Sequence, residues 1–315
     1  MKNNYPSILC AGEALTDMIA NGDDTWRSLV GGSTWNVARC LARTGIHTGF
    51  AGGISHDVFG DQLYAASAEA GMDLRLLQRS HHAPLLAIVA QSSPPSYFFI
   101  GENSADLHFD VSQLPAGWSD QLAWAHFGGI SLARQPLAST LVALATDLKS
   151  QGVKISYDPN FRNLMDARYD ATLQSMVQLA DVIKVSDEDL CGLFRTNDAD
   201  QALRRLRSMN PLATYLYTRG ASGASLLVQN EVWHSPTPRI EVVDTVGAGD
   251  ASMAGLLYSL YLHGERDWQQ HLHYAVASGA AACTAAGAQA VPLSQVMALY
   301  TQLQQPTLPD PLISE

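Results

Sequence analysis

Short apolar runs alternate with segments of helical periodicity along most of this chain. The runs that predict strands are residues 7–11, 124–127, 153–157, 181–185, 214–218 and 225–228. The segments that predict helices are residues 33–44, 59–70, 137–149, 190–194, 199–208, 250–262 and 272–286. Because strands that alternate with helices are joined by crossovers, this order predicts a mainly parallel sheet with helices on both faces. Ser33 or Thr34 is expected to cap the first helix, and Gly45 to end it.

Two segments depart from this alternation. Residues 85–91 and 97–100 are strand-like and are separated by Ser-Ser-Pro-Pro-Ser, which predicts a hairpin with a longer loop. Residues 16–30 look irregular or extended, with a turn at Asn21-Gly22. We expect a small β lid, residues 14–32 and 85–108, on a core made of residues 1–13, 33–84 and 109–315. The Pro-rich end, residues 306–315, is expected to be a loose tail.

Composition narrows the classes of function. The chain has 315 residues, enough for one large α/β domain with an insertion or for two domains. The 19 basic and 30 acidic residues give a net charge of −11. This balance argues against nucleic acid as the main partner, because a phosphate backbone needs a basic surface. A nucleotide, which needs only a local positive site, stays compatible.

Cysteine spacing and hydropathy bear on the cellular compartment. The four cysteines lie far apart and form no Cys-x-x-Cys pair, so reduced thiols are expected rather than a zinc site. Glu13 and Asp17 interrupt the early apolar run, so no signal peptide is expected. No apolar run approaches the ~20 residues that span a membrane. We expect a cytoplasmic protein without a membrane partner.

The most informative stretch runs from Asp244 to Asp250 and reads Asp-Thr-Val-Gly-Ala-Gly-Asp, directly before a predicted helix. Gly247 and Gly249 let backbone N–H groups turn toward one point, and the helix start adds its positive dipole end. Asp250 lies at the rim of this turn. An anion hole beside a carboxylate suits phosphoryl transfer to a hydroxyl, with the carboxylate deprotonating the nucleophile. A glycine turn capped by an aspartate has the same spacing without a catalytic role.

Two other nucleotide-binding motifs are excluded. The chain contains no Gly-x-x-x-x-Gly-Lys-[Ser/Thr], the phosphate loop of P-loop NTPases. A dinucleotide-binding Gly-x-Gly-x-x-Gly should open the first strand–helix unit, but the first strand leads into Ala11-Gly12-Glu13. A nicotinamide-dependent dehydrogenase is therefore disfavoured.

Polar residues in the first 36 positions could bind a polyol. The pair Gly31-Gly32 would let a ligand approach the backbone closely, and Asn36 can both donate to and accept from a hydroxyl. Asp17 is a candidate hydroxyl acceptor. The structural alternatives are a hinge with a helix cap for the glycine segment and a solvated loop acid for Asp17.

Three further polar segments follow predicted strands. Arg162, in the segment from Asp158, could hold phosphate or a sugar oxygen. The acids of residues 184–189 could face hydrated Mg²⁺, and residues 218–223 could line a nucleotide. Each segment could instead be only a turn or a helix start. Ligands of open α/β sheets collect at the carboxyl ends of the strands, so the joint placement favours a phosphate and polyol site.

With these segments in this order, the chain resembles the ribokinase/fructokinase (PfkB-type) family of carbohydrate kinases over about residues 7–300. Residues 244–250 match the C-terminal signature of that family, and Gly31-Gly32 with Asn36 and Ala38 is similar to the N-terminal one. The resemblance implies a three-layer α/β/α Rossmann-like core with a β-sheet lid. It also implies ATP-dependent phosphorylation of a sugar hydroxyl.

The resemblance further implies roles for single residues. Asp250 would be the catalytic base, and Arg162 would lie near the transferred phosphate. The anion hole would be formed by Gly247, Ala248 and Gly249. The sugar would be held by Asp17, Gly32, Asn36 and Asn160. ATP would be held by Lys184, Thr218, Gly220, Gly223, Ala275 and Gly279. Asp244, the backbone of Val246 and the loop 284–289 resemble a monovalent-cation (K⁺) site, and Glu188 or Asp189 would bind Mg²⁺.

Some details are similar to fructokinases in particular, namely the segments 104–106, 158–162 and 184–188. Two details depart from the family pattern. Residues 33–35, Ser-Thr-Trp, are bulkier than the usual small residues, which indicates a different pocket. The common Asn-x-x-Glu is replaced by Ser186-x-x-Asp189, so Glu188 is a substitute candidate for the Mg²⁺ ligand.

We therefore expect an ATP-dependent sugar kinase with fructose as the first candidate acceptor. Ribose, 2-keto-3-deoxygluconate or a nucleoside are alternative acceptors, and a non-catalytic sensor of sugar or nucleotide is a more distant alternative. The aromatic run Tyr97-Phe98-Phe99 on a predicted sheet edge suggests a homodimer formed through the lid. The alternative is that these aromatic side chains pack over the sugar.

Overall fold

The computed structural model describes residues 4–22, 24–92 and 95–305, and of residues 91, 92 and 95–97 it describes the backbone alone. Its strands are β1 (Ile8–Ala11), β2 (Leu15–Ala20), β3 (Trp26–Gly31), β4 (Thr48–Ser55), β5 (Leu77–Ser80), β6 (Leu86–Ser92), β7 (Pro95–Ile100), β8 (Trp124–Gly128), β9 (Lys154–Asp158), β10 (Val182–Ser186), β11 (Thr214–Thr218), β12 (Ala224–Val228) and β13 (Glu231–Ser235). Its helices are α1 (Ser33–Arg43), α2 (Val58–Glu69), α3 (Leu137–Ser150), α4 (Asp170–Leu179), α5 (Asp187–Phe194), α6 (Ala199–Met209), α7 (Ala248–His263), α8 (Trp268–Ala282) and α9 (Leu293–Gln304). The expected loose tail, residues 306–315, lies outside the described residues.

A large sheet forms the middle of the core. Its described strands follow the order β13-β12-β11-β10-β9-β8-β1-β4-β5. Neighbours from β11 to β5 pair in parallel, and β12 and β13 add an antiparallel edge. Cys10 of β1 lies opposite Phe50 of β4 on one side and His126 of β8 on the other. The expected mainly parallel sheet is confirmed, and its parallel strands end at one common edge.

Helices cover both faces of this sheet. Side chains of successive strand residues point to opposite faces, so Ile8 and Cys10 belong to one buried cluster and Leu9 and Ala11 to another. The first cluster contains side chains of α1, α2, α7, α8 and α9, and the second contains side chains of α3 to α6. The expected three-layer α/β/α core is therefore confirmed.

The remaining described strands form a separate lid sheet, in the order β3-β2-β6-β7. Strands β2 and β3 make an antiparallel hairpin, whose turn includes a hydrogen bond from the Thr25 N–H to the Gly22 carbonyl at 2.9 Å. Residues 16–30 are thus mostly strand, so the extended alternative is correct and the irregular one is wrong. Asp17 faces the same side of the sheet as Leu15 and Ile19. A polar residue in that row breaks the apolar alternation on which the strand prediction depended.

The first helix begins without the side-chain cap that the sequence predicts. Its N-cap is Gly32, at a φ of 114°, with no side-chain cap hydrogen bond. The Ser33 hydroxyl donates to Asp250 at 2.8 Å, and the Thr34 hydroxyl donates to the Glu13 carbonyl at 3.2 Å. The prediction that Ser33 or Thr34 caps the helix is therefore wrong, because both hydroxyls make long-range contacts instead. In the described ranges, no helix has both the length and the apolarity to cross a membrane.

Candidate active site

A cavity of about 390 Å³ lies between the lid sheet and the carboxyl edge of the large sheet. Nonpolar lid side chains form one wall, and the ends of β1, β8 and β9 with the start of α7 form the other. Many of the residues expected to bind sugar, phosphate or K⁺ line it together: Asp17, Gly32, Asn36, Asn160, Arg162, Asp244, Val246, Gly247 and Asp250. The structure thus brings residues more than 200 positions apart into one cavity, since Asn36 and Asp250 are separated by 214 positions.

Asp250 is held by two side chains of helix α1. The Ser33 hydroxyl donates to its Oδ1 and the Asn36 amide nitrogen donates to its Oδ2, both at 2.8 Å. Burial raises the pKa of Asp250 above its usual value, while Asn36, Ser33 and nearby cations oppose that rise. The carboxylate is therefore fixed in orientation and made more basic than an exposed aspartate, which suits a general base.

The turn before α7 has the shape of an anion-binding site. Gly247 adopts a φ of 80°, and the amide of Ala248 donates to the Thr245 carbonyl at 3.2 Å. The amides of Gly249 and Asp250 come next, in the first turn of the helix, where N–H groups have no acceptor within the helix itself. Gly249 is thus better placed to meet a phosphate than Ala248, whose amide closes the turn.

Asp244 ties this turn to the loop 284–289. Its Oδ1 accepts the Val246 N–H at 3.1 Å and its Oδ2 accepts the Gly287 N–H at 2.8 Å. A Cβ on Gly247 would lie 2.8 Å from the Cβ of Ala288, so the loop packs directly on the turn. Asp244 thus joins the turn and the loop through two backbone N–H groups, and its role in binding K⁺ stays a prediction.

Lys184 lies behind the anion-binding turn, inside the protein. Its Nζ is 3.2 Å from Asp158 Oδ2 and 3.5 Å from Asp189 Oδ2. A Cβ built on Gly249 would lie 3.0 Å from the same Nζ. Burial disfavours the charge on Lys184, but Asp158, Asp189 and Asp250 together raise its pKa, so it stays protonated. Its positive charge reaches the glycine turn from the side opposite the cavity.

The two candidate Mg²⁺ ligands differ in accessibility. Asp189 is buried and forms a capping box with Ser186, and its Oδ1 accepts the Phe161 N–H at 2.8 Å. Its oxygens are thus occupied in fixing the start of α5. Glu188 is exposed on the first turn of the same helix. Among the residues the structure describes, no group of three or more His, Cys, Asp or Glu side chains is arranged to hold a metal ion.

Asp17 on the lid strand β2 and Arg162 after the core strand β9 place opposite charges in the cavity. Burial raises the pKa of Asp17 to about 6, which the positive charge of Arg162 opposes and the negative charge of Asp250 reinforces. The Arg162 guanidinium donates to Asn160 Oδ1 at 2.8 Å and to the Phe161 carbonyl at 2.7 Å. Arg162 is therefore oriented by its own loop, with Asn160 held in the left-handed region at a φ of 47°.

The residues expected to hold ATP are not part of this cavity. The Thr218 hydroxyl donates to the Val185 carbonyl at 3.4 Å, and Gly220 is open to solvent. Ala275 is buried within α8, and a Cβ on Gly279 would lie 2.2 Å from Ser252 Oγ of α7. Packing between helices α7 and α8 therefore explains the small residues at 275 and 279. Their role in ATP binding stays a prediction.

Sequence reasoning missed Glu13 and Ser131 as residues of the site. Glu13 lines the cavity although only 2% of its surface is exposed, and both Ser131 groups, N–H and O–H, donate to its Oε2. The available signal was the acid directly after β1, at the same edge of the sheet as the other polar segments. Its partner Ser131 lies 118 positions away, which no local pattern reveals.

The cavity carboxylates predict an acid limb in the pH dependence of activity. The pKa of Asp17 is raised to about 6 and that of Asp250 is also raised, and both carboxylates must be ionised to accept hydrogen bonds. We expect kcat/KM to be highest at alkaline pH and to fall as the pH drops through about 7 and about 6, the raised pKa values of Glu13 and Asp17. In Asp17→Asn, the part of the fall in kcat/KM near pH 6 that is assigned to Asp17 should disappear, and KM for the sugar should rise. A profile that is flat down to pH 5 would contradict this assignment.

Comparison with known families gives one match over most of the chain. Residues 6–295 match the family model described as pfkB family carbohydrate kinase. A fructokinase from Klebsiella pneumoniae is 32% identical over 291 residues, which cover 89% of this chain and 94% of that protein.

Two solved structures are similar to the whole molecule. A fructokinase with bound ATP from Xylella fastidiosa superimposes with a TM-score of 0.85 at 29% identity, over 95% of this chain and 99% of that one. An aminoimidazole riboside kinase from Salmonella enterica, complexed with aminoimidazole riboside and an ATP analogue, has a TM-score of 0.82 at 27% identity, over 93% and 99% of the two chains. Both resemblances extend across the lid sheet and the core.

Proposed function

The chain belongs to the pfkB family of carbohydrate kinases, and from this premise we propose that Asp250 is the general base with which it phosphorylates fructose. The protein is an ATP-dependent sugar kinase, and the acceptor and the residue roles are the proposal. One observation carries it. A buried carboxylate, fixed by Ser33 and Asn36, lies in a cavity directly beside a glycine turn at a helix start.

The acceptor hydroxyl would enter the cavity between the lid sheet and Asp250. Asp17 would accept hydrogen bonds from sugar hydroxyls, and so would Asn36 Oδ1, which is buried and has no hydrogen-bond partner among the described residues. Asp250 would take the proton of the reacting sugar hydroxyl as the hydroxyl oxygen bonds to the γ-phosphorus, while the bond from that phosphorus to the β–γ bridging oxygen breaks and ADP leaves. Because the transition state is loose, alignment and charge stabilisation would supply most of the rate.

The transferred phosphoryl group would be stabilised from two sides. The amides of Gly247 and Gly249 would donate to the anion from the turn, and the helix dipole of α7 would add positive potential. Lys184 contributes its charge from behind the turn, and Arg162 from the cavity wall. This arrangement concentrates positive charge where the γ-phosphoryl oxygens would lie, while Asp250 is the only carboxylate in the first turn of α7.

Two cations complete the proposal. Mg²⁺ would be bound to the ATP phosphates, with Glu188 as the accessible carboxylate, and would neutralise phosphate charge when bound. K⁺ would be held by Asp244, the Val246 backbone and the loop 284–289. Asp244 already joins this loop to the turn through Val246 and Gly287, so a cation there would stiffen the anion-binding backbone.

The lid is proposed to consist of residues 14–32 and 85–108, on a core of residues 1–13, 33–84 and 109–315. Its closure over the sugar would exclude water, which otherwise competes as a nucleophile. The outer side of β7 exposes Phe98 and Ile100, each more than half accessible. We propose that a second copy of the chain covers this side, and a monomeric mass in light scattering at assay concentration would refute that.

A nucleoside is the second candidate acceptor, and one feature of the cavity favours it. The lid wall is formed by apolar side chains, Ile19, Leu29, Val89 and Phe99. Such a wall can pack against a planar heterocycle as well as against the nonpolar face of a sugar ring. The similarity to a kinase solved with aminoimidazole riboside points the same way.

An acceptor panel in a coupled assay for ADP release tests the function. The panel contains fructose, ribose, 2-keto-3-deoxygluconate, adenosine and aminoimidazole riboside. We expect kcat/KM for fructose to exceed that of every other acceptor at least about tenfold, since each mispaired polar group costs that much or more. A higher value for a riboside would make the protein a nucleoside kinase. Tight sugar binding in calorimetry without ADP production would indicate a sensor.

A further inference from the structure

We propose that Glu13 is a positioning residue, which fixes the orientation of Asp250 through Ser33. This inference rests on the proposed function, because it assigns Glu13 a role only if Asp250 accepts the hydroxyl proton. Glu13 follows β1 directly and precedes the first lid strand. It therefore lies where the core, the lid and helix α1 meet.

The Glu13 carboxylate accepts hydrogen bonds from two separate segments. Its Oε1 accepts the Ser33 N–H at 3.2 Å, and its Oε2 accepts the Ser131 N–H at 3.2 Å and the Ser131 O–H at 2.6 Å. All of these groups are donors. A carboxylate, which offers two acceptor oxygens and no donor, is the side chain that matches them.

Ser33 passes this constraint on to Asp250. Its N–H is bound by Glu13 and its hydroxyl donates to Asp250 Oδ1 at 2.8 Å. The backbone of Glu13 holds the same helix start, because its carbonyl accepts the Thr34 hydroxyl at 3.2 Å. Glu13 thus fixes both the position and the direction of the group that orients one oxygen of the base.

Glycines on two other segments lie close to Glu13. Gly129 adopts a φ of 64°, and a Cβ at that position would lie 2.0 Å from Glu13 Oε1. Gly32 adopts a φ of 114°, and its Cβ would lie 2.6 Å from the Glu13 carbonyl oxygen. Two glycines on different segments therefore make room for Glu13. The site is built around this side chain.

Burying this carboxylate is unfavourable, which argues for a function beyond packing. Burial raises the pKa of Glu13 to about 7, although hydrogen bonds to Ser131 oppose the rise and the negative Asp106 adds to it. An apolar side chain would avoid that cost but would leave the donors of Ser33 and Ser131 without their acceptor. A structural role alone would not require the Ser33 hydroxyl to point at Asp250.

A double-mutant cycle between Glu13 and Ser33 tests the inference. The variants are Glu13→Gln, Ser33→Ala and the double variant, assayed under the conditions that give the wild-type kcat and KM. Gln at position 13 keeps the shape but places an amide donor against one of the donor groups. We expect each single variant to lose about tenfold to a hundredfold in kcat, with KM changed less than about threefold, because a small misplacement of a reacting group costs that much. The double variant should lose no more than the worse single one.

Two further double-mutant cycles with Ser33→Ala distinguish the positioning role from a general loss of folded protein. Ser131→Ala removes only the hydroxyl at Glu13 Oε2, and its smaller loss in kcat should vanish in the Ser33→Ala background. Asp73→Asn serves as the control, since Asp73 is a half-buried carboxylate that is hydrogen-bonded to Arg75 and does not line the cavity. In the double variant, the fold changes in kcat caused by Asp73→Asn and by Ser33→Ala should multiply, as independent effects do.

Three results would overturn the inference. In the first, the losses in kcat from Glu13→Gln and Ser33→Ala multiply in the double variant. In the second, Glu13→Gln changes KM and leaves kcat as it is. In the third, Ser131→Ala still lowers kcat when Ser33 is already alanine. Asp250→Asn separates this failure from failure of the proposed function. If Asp250→Asn keeps its turnover, the base assignment is wrong. If it is inactive while the Glu13 and Ser33 effects multiply, only the positioning role is wrong.

Discussion

Replacing Asp250 by Asn lowers kcat by about two to four orders of magnitude, the range expected when a general base is lost. Asn has nearly the same shape and can still accept the hydrogen bond from Ser33, so the helix start should stay intact. It cannot take a proton from the acceptor hydroxyl. The measurement is the rate of ADP formation at saturating sugar and ATP, with the folded fraction checked by circular dichroism.

Two controls show that the loss is chemical. Sugar binding to Asp250→Asn, measured by calorimetry, should stay within about tenfold of wild type, since Asp17 and Asn36 are unchanged. Asp73→Asn should keep its turnover, because that carboxylate pairs with Arg75 and His47 far from the cavity. Asp250→Asn with more than half of the wild-type turnover would remove Asp250 from the mechanism.

Replacing Lys184 by Met is expected to lower the free energy of unfolding by about 3–5 kcal/mol, the cost of leaving a buried charge without its partner. Lys184 is 3.2 Å from Asp158 and 3.5 Å from Asp189, and all three side chains are buried. The methionine fills the space of the lysine stem, so the lost charge is the main change. The free energy of unfolding, from urea titration at pH 8, is the quantity to compare.

A more exposed ion pair, between Lys149 and Asp181, provides the control for Lys184→Met. Lys149 is 2.6 Å from Asp181, but the two side chains are 37% and 21% exposed. Lys149→Met should change the free energy of unfolding by less than about 1 kcal/mol. Adding Asp158→Asn to Lys184→Met should recover part of the loss, because it removes one uncompensated carboxylate. A loss below about 1 kcal/mol for Lys184→Met would contradict the assignment of a buried ion cluster.

The parts of the site that local sequence predicts are those built from neighbouring residues. The stretch from Asp244 to Asp250 contains its own turn, helix start and carboxylate, so its conformation follows from glycine and helix-end chemistry. The sugar-side candidates Asp17 and Asn36 were proposed because their side chains can bind hydroxyl groups and a glycine pair precedes Asn36. Asp17 and Asn36 line the same cavity as Asp250 and residues 244–247 of that stretch, whereas Ala248 and Gly249 do not line it.

The parts that escaped prediction depend on contacts between distant residues. The Ser33 hydroxyl was expected to cap α1, but its acceptor Asp250 lies 217 positions away. Strand β4, Thr48–Ser55, is fully buried yet contains three glycines, which lower strand propensity. A Cβ on Gly53 would lie 2.3 Å from the Ala105 carbonyl oxygen, so close packing of another segment explains that composition. Neither effect leaves a local pattern.

The central claim is that the glycine turn at Gly247 holds the migrating phosphoryl group next to Asp250. A crystal structure of Asp250→Asn with fructose and a non-hydrolysable ATP analogue tests it most directly. We expect the γ-phosphate oxygens within hydrogen-bond distance of the Gly247 and Gly249 amides, and one sugar hydroxyl within ~3.2 Å of the side chain at position 250. A γ-phosphorus bound away from this turn, with the sugar out of reach of position 250, would contradict the account.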